Sequence, residues 1–364
     1  MNQLRVAVLG AAGTIAPAIL ADLAVSDEVL SVLALDLDGE KVAAVAAAHG
    51  GAKTLARAAD AKAGLADALA EVDLLINAAS YRVNLDAMRA CLAAGCHYFD
   101  LGGLYHVTRE QLELHSAFAQ AGRLALLGIG SSPGKTNLMA LRAVRELDTV
   151  ESIDVFAGGR DPAPRGAFAP PYALQTLLDE LTLAPVVLRD GVAVEIAPLT
   201  SGGAIDYGEP IGVAQTIYTL HSELASFGQS FGCAQASFRL SLAPALEARL
   251  RELTRASAPE IEDAARQASP ASDQTVSVHL IVARGGGRVV RVRARTGPHQ
   301  PFGIGGSIIS TAAPAVAATR LLARGEITAV GALPPEQALV PEPLFAELEA
   351  RSCQFSVDIE EGAP

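Results

Sequence analysis

The chain has 364 residues, of which half are apolar and 19% are charged. This composition is typical of a folded globular protein with enough core for two domains. The formal net charge of −12 argues against nucleic acid or an anionic membrane as partner, and no uninterrupted apolar run is long enough to span a bilayer.

The first forty residues predict a dinucleotide-binding βαβ unit. An apolar strand at residues 4–9 leads into a glycine turn, a helix at 17–25 and a second strand that ends in Asp36. Gly10 allows the sharp turn, Gly13 lets the backbone approach a pyrophosphate, and Ala16 lets the helix pack closely on the sheet. The pyrophosphate would lie on free N–H groups at the helix N-terminus. The residues predicted to bind the cofactor in this turn are Gly10, Ala12, Gly13, Thr14 and Ile15.

The acidic residue after the second strand indicates which cofactor is bound. Asp36 would accept hydrogen bonds from the adenosine ribose and repel a 2′-phosphate, which favours NAD over NADP. Ala12 occupies the position of the second glycine in G-x-G-x-x-G, so the motif reads G-x-x-G-x-x-A. A secretory signal peptide is the alternative, but Gly10, Gly13 and Pro17 would interrupt its apolar region.

Strands and helices alternate over the next hundred residues. Predicted strands are at residues 53–57, 72–77, 97–101 and 123–129, and predicted helices are at 41–49, 64–70, 85–94 and 108–121. This alternation predicts a doubly wound parallel sheet of the α/β class. Asp60, Ala78 and Ala79 follow strands and are predicted to line the cofactor site. The loop from Gly130 to Asn137 resembles a phosphate-binding P-loop, but the spacing between its glycines does not fit that motif.

The pattern changes after Leu147, where several strands alternate apolar and polar residues, as half-buried antiparallel strands do. Predicted strands are at residues 150–157, 192–197, 234–240, 276–283 and 288–294, the last two joined as a hairpin. A helix at 310–324 and a helix and strand at 341–360 are expected to return to the first domain. The prediction is a Rossmann-type NAD-binding domain of residues 1–134 and 311–364, with an inserted α+β substrate and dimerisation domain of residues 135–310.

Several segments together resemble the saccharopine dehydrogenase family, in particular its branch near lysine 6-dehydrogenase. They are GAAG (10–13), DLLINAA (73–79), HYFDLGG (97–103), SPGKTN (132–137), YTLHSE (218–223), PPE (334–336) and FAEL (345–348). The resemblance implies a Rossmann domain, an inserted domain with a mixed sheet, and a homodimer formed through that sheet. It also implies NAD(P)-linked redox chemistry at a carbon–nitrogen bond of an amino acid.

Oxidation of an amine requires a neutral nitrogen, a cation for the substrate carboxylate and an acid–base group. Lys135 follows a Pro-Gly turn at a predicted helix start, where its charge opposes the helix dipole. It is therefore predicted to face the cleft between the domains; a solvated surface lysine is the alternative. The other predicted acid–base residues are His106, His221 and Glu223, and the predicted substrate-binding residues are Arg160 and Tyr105. Ordinary loop or surface roles are the alternatives for each.

Together, the glycine turn and the resemblance imply an NAD-dependent oxidoreductase of the saccharopine- or lysine-dehydrogenase type, acting on a carbon–nitrogen bond of a small amino-acid substrate. The predicted partners include no nucleic acid and no membrane, and a homodimer is expected. The four cysteines fit neither a metal motif nor a disulfide framework, which indicates reduced thiols and a cytoplasmic protein. No metal cluster is evident. Two other functions stay open: an NAD-binding sensor without turnover, and an NAD-dependent lyase that uses hydride transfer internally.

Overall fold

The computed structural model describes residues 3–361. It divides into two compact units. The first unit runs to Leu138 and includes Thr311–Leu348, and the second comprises Met139–Ser310 and the chain from Glu349 onward.

The strands and α-helices of the described residues have the following bounds. The strands are β1 (Leu4–Leu9), β2 (Val29–Asp36), β3 (Thr54–Ala58), β4 (Leu74–Asn77), β5 (His97–Asp100), β6 (Leu124–Leu126), β7 (Ser152–Arg160), β8 (Val186–Arg189), β9 (Val192–Glu195), β10 (Ser201–Asp206), β11 (Val213–Tyr218), β12 (Gln235–Leu240), β13 (Val276–Gly285), β14 (Arg288–Thr296), β15 (Gly331–Leu333) and β16 (Cys353–Glu361). The α-helices are α1 (Ala16–Ala24), α2 (Gly39–His49), α3 (Leu65–Ala68), α4 (Asn84–Ala94), α5 (Leu104–Leu112), α6 (His115–Gln120), α7 (Lys135–Val144), α8 (Leu174–Thr182), α9 (Leu224–Phe231), α10 (Pro244–Leu253), α11 (Ala258–Gln267), α12 (Gly306–Ala323), α13 (Pro335–Ala338) and α14 (Pro341–Glu349).

The first unit contains a seven-stranded sheet in the order β15-β6-β5-β4-β1-β2-β3. All its pairings are parallel. The central strands β1 and β4 are apolar on both faces because helices cover both sides of such a sheet, and β4 is buried at every position. This arrangement confirms the predicted α/β fold, in which the strand order reverses between β1 and β4.

The second unit is built on a nine-stranded mixed sheet. Seven strands follow the order β10-β11-β12-β7-β13-β14-β16, while β8 pairs with β12 and β9. The hairpin of β13 and β14 is confirmed, with Gly285 opposite Arg288. Strand β13 is not half-buried as predicted, because both of its faces are covered and only Arg284 is exposed.

Two predictions, one of strand pairing and one of helix bounds, are wrong. The last strand, β16, does not return to the first sheet; it pairs antiparallel with β14 along its whole length, from Thr296 opposite Cys353 to Arg288 opposite Glu361. The single helix predicted over residues 108–121 is two helices, α5 and α6, and the first begins at Leu104. The sequence analysis also missed β15, which extends the first sheet beside β6.

Helix α12 is the one described helix that is long and apolar enough to cross a membrane by length and composition alone. Its 18-residue window is 78% buried inside the protein. Residues such as Ala315, Val316 and Ala318 are fully covered, which is typical of a core helix.

Candidate functional site

The turn after β1 has the geometry of a dinucleotide cradle. Gly10 has a φ of +76°, and a Cβ placed there would lie 2.6 Å from the Cα and N atoms of Ala79. Only glycine fits this close approach between the ends of β1 and β4. A Cβ on Gly13 would meet just the carbonyl oxygen of Gly10, at 3.1 Å, and open space otherwise. The predicted roles of the two glycines therefore agree with the space around them.

Asp36 holds the glycine turn from the end of β2. Its Oδ2 atom accepts a hydrogen bond of 2.9 Å from the backbone N–H of Ala12, and its Oδ1 accepts one of 3.3 Å from Asp38. Two oxygens with about four lone-pair positions leave capacity for further donors, such as ribose hydroxyls.

The start of α1 completes the cradle. Among the described residues no side chain caps the helix, whose cap residue is Ile15, so its first N–H groups have no side-chain acceptor there. Gly13 and Thr14 are exposed beside it, whereas Ala16 is buried against the sheet. Free N–H groups at a helix N-terminus, next to an exposed glycine, suit a pyrophosphate. The residues present therefore fit a dinucleotide cofactor.

The remaining predicted cofactor residues separate into two groups. Ala78 and Ala79 lie at the end of β4, where Ala78 N donates to Leu9 O at 2.9 Å and Ala79 packs against Gly10. Asp60 is exposed beyond β3, and its carboxylate accepts a hydrogen bond from the N–H of Lys62 in its own turn. The structure thus brings Ala78 and Ala79 to the cradle, and it shows Asp60 stabilising a local turn.

Lys135 is not a solvated surface lysine. It is 1% exposed and belongs to the largest fully buried side chains of the chain. The loop before it is tightly packed: Gly134 has a φ of +117°, and a Cβ there would lie 2.4 Å from Gly130 O. Asn137 accepts from Gly134 N and donates to Glu336 Oε2 at 2.8 Å, which ties the start of α7 to α13. The buried position contradicts the surface alternative, and contact with substrate stays a prediction.

Tyr105 and His106 lie in the first turn of α5, which begins before the helix predicted at residues 108–121. Tyr105 is 7% exposed and its ring meets His106 edge-on at 5.2 Å. His106 is exposed. The two rings therefore touch, but Tyr105 is buried and His106 faces solvent.

A buried polar network that the sequence analysis missed lies next to these residues. Asp100, at the end of β5, is 1% exposed and accepts hydrogen bonds from Gln111 Nε2 and from the backbone N–H groups of Gly102 and Gly128. Burial raises the pKa of Asp100, while these hydrogen bonds lower it in part. The network fixes the loops that follow β5 and β6. The burial of an acid at the end of an apolar strand was the available signal.

In the second unit, Arg160 ends β7, and its Nη1 donates to Pro210 O at 2.7 Å. The guanidinium is exposed and retains further donors. The structure therefore gives Arg160 a role in holding a loop carbonyl, and its predicted role as a carboxylate clamp stays untested.

His221 and Glu223 do come together. The segment between β11 and α9 places His221 Nδ1 2.9 Å from Glu223 Oε2, and Glu223 is fully buried. Side chains two positions apart on a helix do not face each other. His221 and Glu223 can meet because both precede α9, which begins at Leu224.

Two further residues complete this cluster, and the sequence analysis missed both. Glu180 on α8 places Oε1 3.9 Å from His221 Nε2, and the Tyr172 hydroxyl donates to Glu180 Oε2 at 2.5 Å. The imidazole stacks on Phe238, with ring centroids 3.5 Å apart and planes at 13°. We call Tyr172, Glu180, His221 and Glu223 the histidine array.

The charges in the histidine array are mutually dependent. Burial lowers the pKa of His221, but Glu223 and Glu180 outweigh it, so the pKa of His221 is raised above its usual 6.5. Burial raises the pKa of Glu180, which His221 and Tyr172 lower only in part. Both groups therefore favour the protonated form more than the same side chains do in water.

Known proteins provide independent comparisons. Residues 6–126 match the family model described as the saccharopine dehydrogenase NADP binding domain. A carboxyaminopropylagmatine dehydrogenase from Synechocystis sp. is 32% identical over 164 residues, which cover 42% of this chain and 40% of that protein. The matched segment thus spans less than half of that relative.

Among solved structures, the apo saccharopine dehydrogenase (L-Glu forming) from Saccharomyces cerevisiae superposes with a TM-score of 0.71. The match covers 98% of this chain and all of that one, at 15% identity, which shows a shared fold. These comparisons confirm the predicted resemblance, while the branch near lysine 6-dehydrogenase stays a prediction. Residues 6–126 are therefore similar to the saccharopine dehydrogenase NADP-binding domain, and the chain shares its fold with the saccharopine dehydrogenase from Saccharomyces cerevisiae.

Proposed function

We propose that this protein is an NAD-dependent oxidoreductase that acts on a carbon–nitrogen bond of an amino-acid substrate. The observation that carries the proposal is the glycine turn, in which Asp36 holds Ala12 N at 2.9 Å while the space beside Gly13 is open. When bound, the nicotinamide exchanges a hydride with the carbon of that bond. The two relatives described above are named as dehydrogenases, which supports redox chemistry.

The preference for NAD rests on Asp36. A carboxylate at the end of β2 accepts hydrogen bonds from ribose hydroxyls and repels a 2′-phosphate. The matching family model carries NADP in its description, so the preference requires a direct measurement. We propose NAD because the Asp36 carboxylate keeps lone pairs for ribose hydroxyls and because the exposed residue after it, Leu37, supplies no cation for a phosphate.

On the substrate side, we propose that Lys135 binds the substrate carboxylate or takes the amine proton. Its ammonium is removed from bulk solvent, and a charge in such a site interacts strongly with an anion. His221 and Glu223 are the proposed acid–base residues of the second unit, and Arg160 stays a proposed carboxylate ligand. A homodimer and a cytoplasmic location complete the proposal.

The first test is cofactor binding by calorimetry, with NAD and NADP compared in the purified protein and in Asp36→Ala. Tighter binding of NAD, and a smaller difference between the two cofactors in the variant, support the proposal. Tighter binding of NADP by the unchanged protein contradicts the NAD preference.

The second test is turnover with a panel of acidic, neutral and basic amino acids. Amine-dependent formation of NADH supports a dehydrogenase. Cofactor binding without turnover on any substrate, or product formation without net change in NADH, would instead favour the sensor or the lyase.

A further inference from the structure

The histidine array holds its imidazole on three sides. Glu223 faces one ring nitrogen and Glu180 faces the other, at 2.9 and 3.9 Å, and Phe238 stacks on the ring face. A neutral imidazole has a lone pair on one nitrogen, which would here point at a carboxylate. Only the imidazolium presents an N–H to both carboxylates, so the geometry selects the protonated form.

The charge of Glu180 depends on His221 in turn. Its anionic neighbours Glu223 and Asp179 raise the pKa of Glu180, whereas His221 lowers it. The hydroxyl of Tyr172 donates to the oxygen that does not face His221. Tyr172 therefore turns the carboxylate toward the ring, and His221 supplies the positive charge that these acids require.

The two ring nitrogens differ in how firmly they hold their protons. The Nδ1 atom lies within hydrogen-bond distance of Glu223, whereas the Nε2 atom is too far from Glu180 for a hydrogen bond. The proton on Nε2 is thus held by charge but not by a short hydrogen bond, and it is the one available for transfer.

Two hydroxyls on either side of His221 in the chain indicate a ligand. Thr219 Oγ1 and Ser222 Oγ are buried and have no hydrogen-bond partner among residues 3–361, and the two residues are 1% and 5% exposed. A buried hydroxyl without a partner costs free energy, and a polar ligand beside His221 would remove that cost.

From these contacts we infer that Tyr172 and Glu180 are positioning residues that keep His221 protonated, and that His221 Nε2–H serves as proton donor. This role rests on the proposed function: a bound nicotinamide would supply the hydride for reduction of a C=N bond, and His221 would supply the proton for its nitrogen. The ring of His221 would then become neutral.

The protonation state is tested without cofactor, by NMR of ¹⁵N-labelled histidine rings across pH. We expect His221 to be an imidazolium at neutral pH. Glu180→Gln, which keeps the shape of the side chain, should lower the pKa of His221 by about one to three units, the effect of an opposite charge at this distance. Tyr172→Phe should give a smaller shift because Glu180 keeps its charge, and Glu260→Gln on the exposed α11 should give none.

Kinetics test whether His221 donates the proton. The rate of imine reduction should fall as pH rises through the pKa of His221, and Glu180→Gln should move that limb down by the shift that NMR measures. A neutral His221 at neutral pH, or a limb that Glu180→Gln does not move, overturns the inference. Lack of NADH binding overturns the proposed function instead, so the two failures are distinguishable.

Discussion

An added methyl group is expected to destabilise the protein at Gly10 but not at Gly13, the two glycines of the cradle. At Gly10, alanine would have to adopt a φ of +76° and place its Cβ 2.6 Å from backbone atoms of Ala79. The left-handed conformation costs about 1–2 kcal/mol and overpacking about 1–3 kcal/mol, so Gly10→Ala should destabilise the first unit by roughly 2–5 kcal/mol. At Gly13 the same methyl group meets one carbonyl oxygen, at 3.1 Å.

Thermal unfolding and NAD titration together separate the two roles. A domain of the size of the first unit loses about 2–4 °C of Tm per kcal/mol, so Gly10→Ala should lower its Tm by roughly 4–20 °C. Gly13→Val should leave the Tm nearly unchanged and abolish NAD binding, because its branched side chain occupies the proposed pyrophosphate space. Gly13→Ala is the matched control for the methyl group itself.

Two results would refute this reasoning. A Gly10→Ala protein with unchanged Tm would show that the end of β4 yields easily to the added atom. A folded Gly13→Val protein with unchanged NAD affinity would remove Gly13 from the cofactor site.

Three other predictions concern Asp36, Lys135 and the histidine array. Asp36→Ala should weaken NAD binding about 10- to 100-fold, since a hydrogen bond to a charged group contributes about 1.5–3 kcal/mol; calorimetry with both cofactors checks this. Lys135→Met should raise KM by about 10- to 100-fold if Lys135 binds the carboxylate, or lower kcat if it is the base, with NAD affinity unchanged in either case; wild-type kinetics would contradict both roles. The folded-state pKa values of His221 and Glu180 lie above their usual 6.5 and 4.5, so the folded protein binds more protons and this contribution to stability is lost as pH rises through those raised values. Urea midpoints across pH should show that loss in the unchanged protein and a weaker one in Glu180→Gln.

The sequence by itself determined the first unit closely. Strand, glycine turn, helix, strand and Asp36 are local in the chain, and each part has one geometry that suits it. The apolar runs of β1 and β4 predict buried parallel strands because their period leaves no exposed face. Sequence therefore sufficed for the fold class, the cradle and the family resemblance.

The tertiary structure decided what depends on distant pairing. Whether β16 joins the first or the second sheet is set by its match to β14, and its own residues do not specify that partner. The same holds for Glu180, which lies forty-one positions before His221 and becomes its neighbour only when α8 packs near the β11–α9 segment. Lys135 likewise has a sequence position that suits solvent or interior equally, and packing around α7 buries it. Local preferences act over a few residues, whereas burial and pairing of charges depend on contacts between elements far apart in the chain.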